Sequence, residues 1–373
     1  MDKDFLVKVN NYAESYIRPK AGEFDKNCSL SKEVIRGLAQ LGILGSTVPE
    51  KYGGINLDPL TYGRMTEMIG KACSASRTLL TVHTALVCET LVKMANDVQK
   101  DYWLPKLSDG TKIGCFALSE PTAGSDANSI KTSYVLDGNQ YILNGKKKWI
   151  SFAEIADFFV VIATDGKAIT AFMLEKEMSG LIIKPMRGLL GSRASHTAEL
   201  HLNNVKVPKE NIIGQEGSGF SFVVNTALFN GRYSIAWGGL GLATSALEEM
   251  SRYSRKRKQF GVKIGNHQLI KSIIGQAVTD VHAGRALCER AGRLKEEMSD
   301  QAIIETNIAK YFTSKAAVKI TSDVVQVFGG NGCIEDYPAE RLYRDSKILE
   351  IIEGTSQIQE VMLGNYGLKK YGR

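Results

Sequence analysis

The feature that most constrains this chain is a double change of texture, out of a helical period and back into one. From about Ile113 to Ile213, short β-branched and aromatic runs alternate with turn residues. On either side apolar residues recur three and four apart, as in Val34, Leu38 and Leu41 before it and Ile304, Ile308, Tyr311, Phe312 and Ala316 after it. Ser29 or Ser31 stands ready to cap the first of these runs, and further helical runs cover Pro59 to Lys71, Thr78 to Asn96 and Val98 to Leu107. In the middle stretch, Asp137-Gly138 and Asn144-Gly145 are hairpin dipeptides between β-rich runs. Strand patterns continue at Phe158–Ala163, Ala171–Leu174, Leu181–Ile183 and Ala198–Leu202. The order α, β, α implies an α+β protein. We expect an N-terminal helical domain (1–112), a middle antiparallel β-barrel or sandwich domain (113–216) and a C-terminal four-helix bundle domain (217–373).

Several function classes fall away early. Six scattered cysteines without a CxxC pair, and five histidines without a cluster, argue against a metal site and a disulfide framework. No segment approaches the roughly 18 unbroken apolar residues of a membrane span. The start, Met1-Asp2-Lys3-Asp4-Phe5, has no basic-then-apolar leader, so a cytoplasmic protein is expected. The net charge of +7 peaks at Arg255-Lys256-Arg257-Lys258, either a solvated helix face or an anion contact. Aromatic residues for base stacking are not interleaved with it, so neither nucleic acid nor membrane is an expected partner.

Near the C-terminus the apolar run Ile348-Leu349-Glu350-Ile351-Ile352 meets Glu353-Gly354-Thr355-Ser356-Gln357. A carboxylate there is either an ordinary helix-terminal residue or a general base whose pKa desolvation raises toward neutrality. Four other patches bear on the choice. Phe116 to Asp126, through Ala117-Leu118-Ser119-Glu120-Pro121-Thr122-Ala123-Gly124-Ser125, runs from a strand into a small, hydroxyl-rich turn that a flat cofactor could approach. Trp149-Ile150-Ser151 offers a Trp that is either core or a shield for a ring. Arg257-Lys258-Gln259-Phe260-Gly261, with His267-Gln268 behind it, can clamp a pyrophosphate. Gln326-Val327-Phe328-Gly329-Gly330-Asn331-Gly332 is either a helix stop or a close backbone approach to a nucleotide. There is no P-loop. The glycines at 238, 239 and 241 sit inside a helical pattern, so a Rossmann reading fails as well.

In this order on an α–β–α chain, these patches closely resemble the acyl-CoA dehydrogenase family over essentially the full length. Ala117 to Asp126 looks like the family's first signature; Gln326-x-x-Gly329-Gly330-x-Gly332 followed by Asp336, Arg341 and Asp345 looks like its second. The resemblance implies FAD as cofactor and a tetramer or dimer in which subunits share the flavin sites. Phe116, Ala117, Leu118, Ser119, Gly124, Ser125, Trp149, Ile150, Ser151, Thr355 and Gln357 would then hold the flavin. Arg257, Gln259, Phe260, His267, Gln268, Gln326, Gly329 and Gly330 would hold its diphosphate and adenosine end. Glu353 matches the base that removes a proton α to a thioester carbonyl while a hydride leaves the β carbon for flavin N5. The flavin ribityl hydroxyl and the Glu353 N–H would stabilise the thioester oxygen.

Ser125, Phe229, Arg232, Tyr233 and Gly354 are the expected substrate contacts. Two positions depart from the family. Phe229 replaces an Asp common in fatty-acyl members, and Thr122 replaces a common Gly. Gly231 to Gly238 is similar to a subgroup acting on short hydroxy- or amino-acyl groups held by an acyl carrier protein in polyketide and nonribosomal peptide assembly. Tyr233 and Trp237 either narrow the acyl pocket or serve helix packing. The expectation is therefore an FAD-dependent acyl-thioester dehydrogenase on a carrier-protein-bound group. The alternatives are a short-chain acyl-CoA dehydrogenase and an oxygen-using oxidase, with an electron-transfer flavoprotein as a further candidate partner.

Overall fold

The computed structural model describes residues 2–372. The N-terminal part is helical: α1 (Asp2–Tyr12), α2 (Ala21–Asn27), α3 (Lys32–Gln40), α4 (Pro59–Ala72), α5 (Ser74–Leu79), α6 (Glu89–Met94) and α7 (Asp97–Ser108). Ser31, not Ser29, caps α3, its Oγ accepting from Val34 N–H at 3.3 Å. A wide π-helical stretch, Leu80–Cys88, joins α5 to α6, and every residue in it is buried. One of these is His83, which ties the helical part to the next domain. It accepts from Gly114 N–H at Nδ1 (3.0 Å), so its Nε2–H donates to Leu107 O at 2.9 Å. Burial holds it neutral, its pKa drawn down to about 4.

The middle part is one eight-stranded sheet, with β6 (Leu181–Pro185), β7 (Ala198–Pro208), β3 (Gln140–Ile150), β2 (Ser133–Asp137), β4 (Phe158–Thr164), β5 (Ile169–Glu175) and β8 (Ile212–Ile213) in that spatial order. β1 (Gly114–Ala117) lies on β4. The pairs are antiparallel as expected, except that β1 runs parallel to β4 and one pair, Ser133↔Thr164, joins β2 to β4 in parallel. Asp137-Gly138 does turn a hairpin, Asp137 pairing with Gln140 and Gly138 taking φ +61°. Asn144-Gly145 does not. It lies inside β3, where the register against β7 slips between Leu143 and Gly145, so the glycine serves a bulge and not a turn.

Helices then return as α8 (Asn225–Lys256), α9 (Gln268–Glu296), α10 (Ala302–Phe328), α11 (Ala339–Leu349) and α12 (Ser356–Tyr371), with a small hairpin of β9 (Lys258–Gln259) and β10 (Val262–Lys263) after α8. α8 packs on α9, α10 and the N-terminal α4, and α12 completes the bundle against α10. The stripe read on α10 is only partly covered: Ile304, Ile308, Tyr311 and Phe312 are half-buried. The buried face instead carries Thr306, Asn307, Lys310, Thr313 and Ser314. A helix with a polar buried face needs partners inside, and those partners form the site.

Candidate active site

Glu353 sits in the loop between α11 and α12. Its backbone is left-handed, φ +55°, followed by Gly354 at φ +90°. That conformation is unfavourable for a residue with a Cβ and persists only where the surroundings enforce it. Two cations do so, the half-buried Arg232 and the fully buried Lys310. Arg232 Nε, from α8, donates to Glu353 O at 3.1 Å, and Lys310 Nζ, from α10, donates to Gly354 O at 2.7 Å. Gln359 Nε2 adds a longer contact to Glu353 O at 3.4 Å. Thr355 closes the loop as the N-cap of α12, accepting from Ile358 N–H at 3.3 Å.

The carboxylate itself is left free. Glu353 is half-buried as a residue, yet its Oε2 is sealed from solvent and has no hydrogen-bond partner among the described residues. Burial pushes its pKa up to about 7, against the downward pull of Arg232, Lys310 and Arg77. The same burial draws Lys310 down to about 8. Glu353 N–H donates to no protein acceptor among the described residues, so it remains available to an incoming oxygen. The carboxylate faces the bare Cα of Gly231 on α8.

Most of the expected flavin residues lie in β1, in the turn after it and at the end of β3. Phe116 and Ala117 are buried in β1, Leu118 and Ser119 half-buried beyond it, and Gly124 and Ser125 exposed on the following turn. That turn is moored from beneath by Glu120. Its carboxylate accepts from Lys131 N–H (2.6 Å) and Thr132 N–H (2.9 Å) and pairs with the fully buried Lys147 at 2.7 Å. Lys147 also donates to Leu118 O at 3.0 Å, and Lys148 N–H to Ser119 O at 2.9 Å. The turn is thereby held beside Trp149, which has φ +65° and is 55% exposed, while Ile150 is buried and Ser151 half-buried. A Trp strained into the left-handed region and left open to solvent is no core residue.

The residues expected at the nucleotide end gather elsewhere. Arg257, Gln259 and Phe260 lie exposed around β9, and Gln326, Gly329 and Gly330 lie exposed at the end of α10. Tyr253 stacks on Phe328 at 4.0 Å and so joins the two ends. His267 packs edge-on to Phe260 with its Nε2 buried and unpartnered, and Gln268 is exposed at the start of α9. A Cβ added at Gly124, Gly329 or Gly330 would meet nothing within 4 Å. Small exposed turns, an open Trp and an orphaned imidazole nitrogen fit a long planar cofactor with a phosphate-bearing tail. Gln357 is exposed on α12.

The expected substrate residues divide. Arg232 and Gly354 stand at Glu353. Phe229 lies beneath Lys295 Nζ (5.2 Å) and lines a cleft of about 530 Å³ with Pro59, Tyr62, Glu89 and Met298. Tyr233 is fully buried, stacked on Tyr62 with its hydroxyl donating to Pro59 O at 2.6 Å. Ser125 belongs to the turn after β1. Sequence reasoning did not single out Lys310, Gly231 as a contact of the base, the Glu120–Lys147 pair, or Arg77. Arg77 is buried between α4 and α8, where desolvation draws its pKa down to about 10. A lone charged residue among the small, hydroxyl and apolar residues of Ser74 to Val82 was the available signal.

Comparisons with known proteins agree with the fold. The chain matches the acyl-CoA dehydrogenase N-terminal domain over residues 2–111, its middle domain over 115–205 and its C-terminal domain over 217–366. It is 36% identical to the short-chain specific acyl-CoA dehydrogenase of Clostridium acetobutylicum over 95% of this chain and 94% of that one. Butyryl-CoA dehydrogenase from Megasphaera elsdenii superposes with TM-score 0.94 at 34% identity, over 98% of each chain. The prolyl acyl carrier protein oxidase AnaB superposes with TM-score 0.93 at 29% identity, over 98% of each chain. A glutaryl-CoA dehydrogenase from Mycobacterium smegmatis, solved with FADH2, does so with TM-score 0.94 at 27% identity, over 99% of this chain and 95% of that one. The chain has the fold of an FAD-dependent oxidoreductase. It belongs to the acyl-CoA dehydrogenase family.

Proposed function

We propose that this chain dehydrogenates a short acyl thioester, with Glu353 as the base that takes the α-proton. The observation that carries the reading is the unpartnered Oε2 of Glu353, buried, aimed at Gly231 and raised to a pKa of about 7. A base needs a free lone pair and a pKa near the working pH. FAD, when bound, supplies the acceptor for the hydride from the β carbon. Phe116 to Ser119, Gly124, Ser125, Trp149 to Ser151, Thr355 and Gln357 would hold its ring. Arg257, Gln259, Phe260, His267, Gln268, Gln326, Gly329 and Gly330 would hold its tail.

The chain's own residues do the rest. Arg232 and Lys310 fix the loop that carries the carboxylate and the Glu353 N–H. The N–H stabilises charge developing on the thioester oxygen. Exclusion of water keeps the carboxylate basic and strengthens that hydrogen bond.

Two carriers are compatible with the site. The higher-identity relatives favour CoA as the carrier. Phe229 in place of an acidic residue, the charge of +7 and the likeness to AnaB favour an acyl carrier protein bearing a hydroxy- or amino-acyl group. Titrating the FAD-loaded protein anaerobically with short acyl groups, each offered on CoA and on carrier protein, separates them by which form bleaches the flavin. An electron-transferring flavoprotein is the electron acceptor we propose; turnover with oxygen alone would make the protein an oxidase.

A further inference from the structure

A cavity of about 350 Å³ lies where the three parts of the chain meet. Its walls come from α2, from the junction of α4 and α5, from the loop Ser192–Ala194 of the middle part, and from α8 and α11. None of Gly231, Arg232, Lys310 and Glu353 lines it. Its α8 residues, Leu242, Ser245 and Glu249, begin about 16 Å along the helix from Gly231. A space of this size falls in the ordinary range of small-ligand pockets, about 300–1,000 Å³.

The walls carry charges of both signs, and most of these are already matched. Arg18 pairs with Glu14, Glu248 and Glu249, and Lys71 with Glu14 and Glu248. Asp25 pairs with Arg344, and Glu335 with Lys26. Arg193 donates from Nε to Leu189 O at 2.9 Å and lies 3.9 Å from Asp25. Asp336 is exposed. Two groups on α11 remain. Arg341 is half-buried and makes no hydrogen bond or ion pair among the described residues, whereas Arg344 beside it takes both Asp25 and Glu340. The Arg341 guanidinium is turned toward α2, where a Cβ on Gly22 would lie 2.9 Å from its Nη1. Asp345, one turn on, is buried. Its Oδ1 accepts from Ser192 N–H at 2.7 Å, and its Oδ2 has no hydrogen-bond partner among the described residues. Burial pushes its pKa up to about 6, which still leaves it ionised at neutral pH. Residues four apart on a helix are neighbours on one face, yet these two do not pair with each other.

We propose that this junction cavity binds a small zwitterion of the α-amino acid class, its carboxylate on Arg341 and its ammonium on Asp345. A simple carboxylate would meet the charge of Asp345 without answering it, and a simple amine would do the same at Arg341. A molecule that carries both charges on neighbouring atoms answers both. The hydroxyls of Ser74 and Ser192, 3.5 Å apart on the same wall, offer further polar contacts. Such a ligand touches all three parts of the chain, so it stabilises their assembled arrangement and not the unfolded chain. The site is separate from the acyl-thioester site and does not depend on which thioester is oxidised.

The test uses the FAD-loaded protein. Thermal unfolding midpoints are measured with each of the common L-α-amino acids, and the strongest is followed by isothermal titration calorimetry. At least one should raise the midpoint in a saturable way, with a Kd below about 1 mM. Its deaminated acid and its decarboxylated amine should each bind about 10-fold or more weakly, because each loses one charged partner. Arg341→Gln should no longer distinguish the amino acid from its amine. Asp345→Asn, which keeps an acceptor for Ser192 N–H, should no longer distinguish it from its acid. No saturable binding by any amino acid, or binding unchanged in Arg341→Gln, would overturn the inference. So would an acid that binds wild type as tightly as its amino acid, since the cavity would then be a plain anion site. Flavin reduction by acyl thioesters is read separately, so the dehydrogenase reading stands or falls independently of these titrations.

Discussion

Glu353 Oε2 and Gly231 Cα face each other so closely that a Cβ on Gly231 would lie 2.4 Å from the oxygen. The carboxylate owes its unobstructed position to the missing side chain. Alanine usually stabilises a helix interior relative to glycine, by about 1 kcal/mol. Here the contact dominates. Gly231→Ala should displace the carboxylate and lower kcat by about 100-fold, the cost of misplacing a reacting group by roughly an ångström. Single-turnover flavin reduction would show it, and a rate within twofold of wild type would contradict the placement.

The titration of Glu353 sets the pH response. Its folded pKa is about 7 against an ordinary value of 4.5, and the base works only when ionised. kcat/KM should therefore climb about tenfold per pH unit below 7 and flatten above it. Stability should run the other way. A carboxyl whose folded pKa is raised binds more protons folded than unfolded, so its contribution weakens as pH rises from 4.5 to about 7. Denaturation midpoints across that window, compared between wild type and Glu353→Gln, should show the slope only where the carboxylate is present.

Lys310 is a positioning residue: it grips Gly354 O and lends positive charge to Glu353. Lys310→Met removes both effects. The inflection in the pH profile should move upward, because an opposing charge that held the carboxyl down is gone. A purely structural role would lower the rate without moving the inflection.

Glu120 and Lys147 make a buried pair, and it supports the turn after β1. Glu120→Ala strands Lys147 without its counter-charge, which costs about 3–5 kcal/mol when a buried pair is broken. Thermal unfolding followed by flavin fluorescence should show earlier FAD release, whereas an unchanged profile would mean the turn does not depend on the pair.

The α, β, α order and the place of Glu353 were legible because both leave local marks: period, turn dipeptides, and a carboxylate against a glycine. What was not legible depends on contacts between distant segments. Asn144-Gly145 reads as a turn in any local window, and only its pairing with β7 makes it a bulge. The apolar stripe of α10 gave no hint that Lys310 on another face would be buried to hold residue 354. Gly231 marks the base only once α8 is packed against the loop after α11. Tyr233 lent itself equally to pocket or packing; its hydroxyl on Pro59 and its ring on Tyr62 place it in the packing between helices.

The most direct test is anaerobic flavin reduction by a short acyl thioester in wild type and in Glu353→Gln. The substitution keeps the shape and removes the base, so the flavin should stay bound while its reduction rate falls by about 1,000-fold or more. Reduction of the Gln variant at the wild-type rate would place the base elsewhere and contradict the role assigned to Glu353.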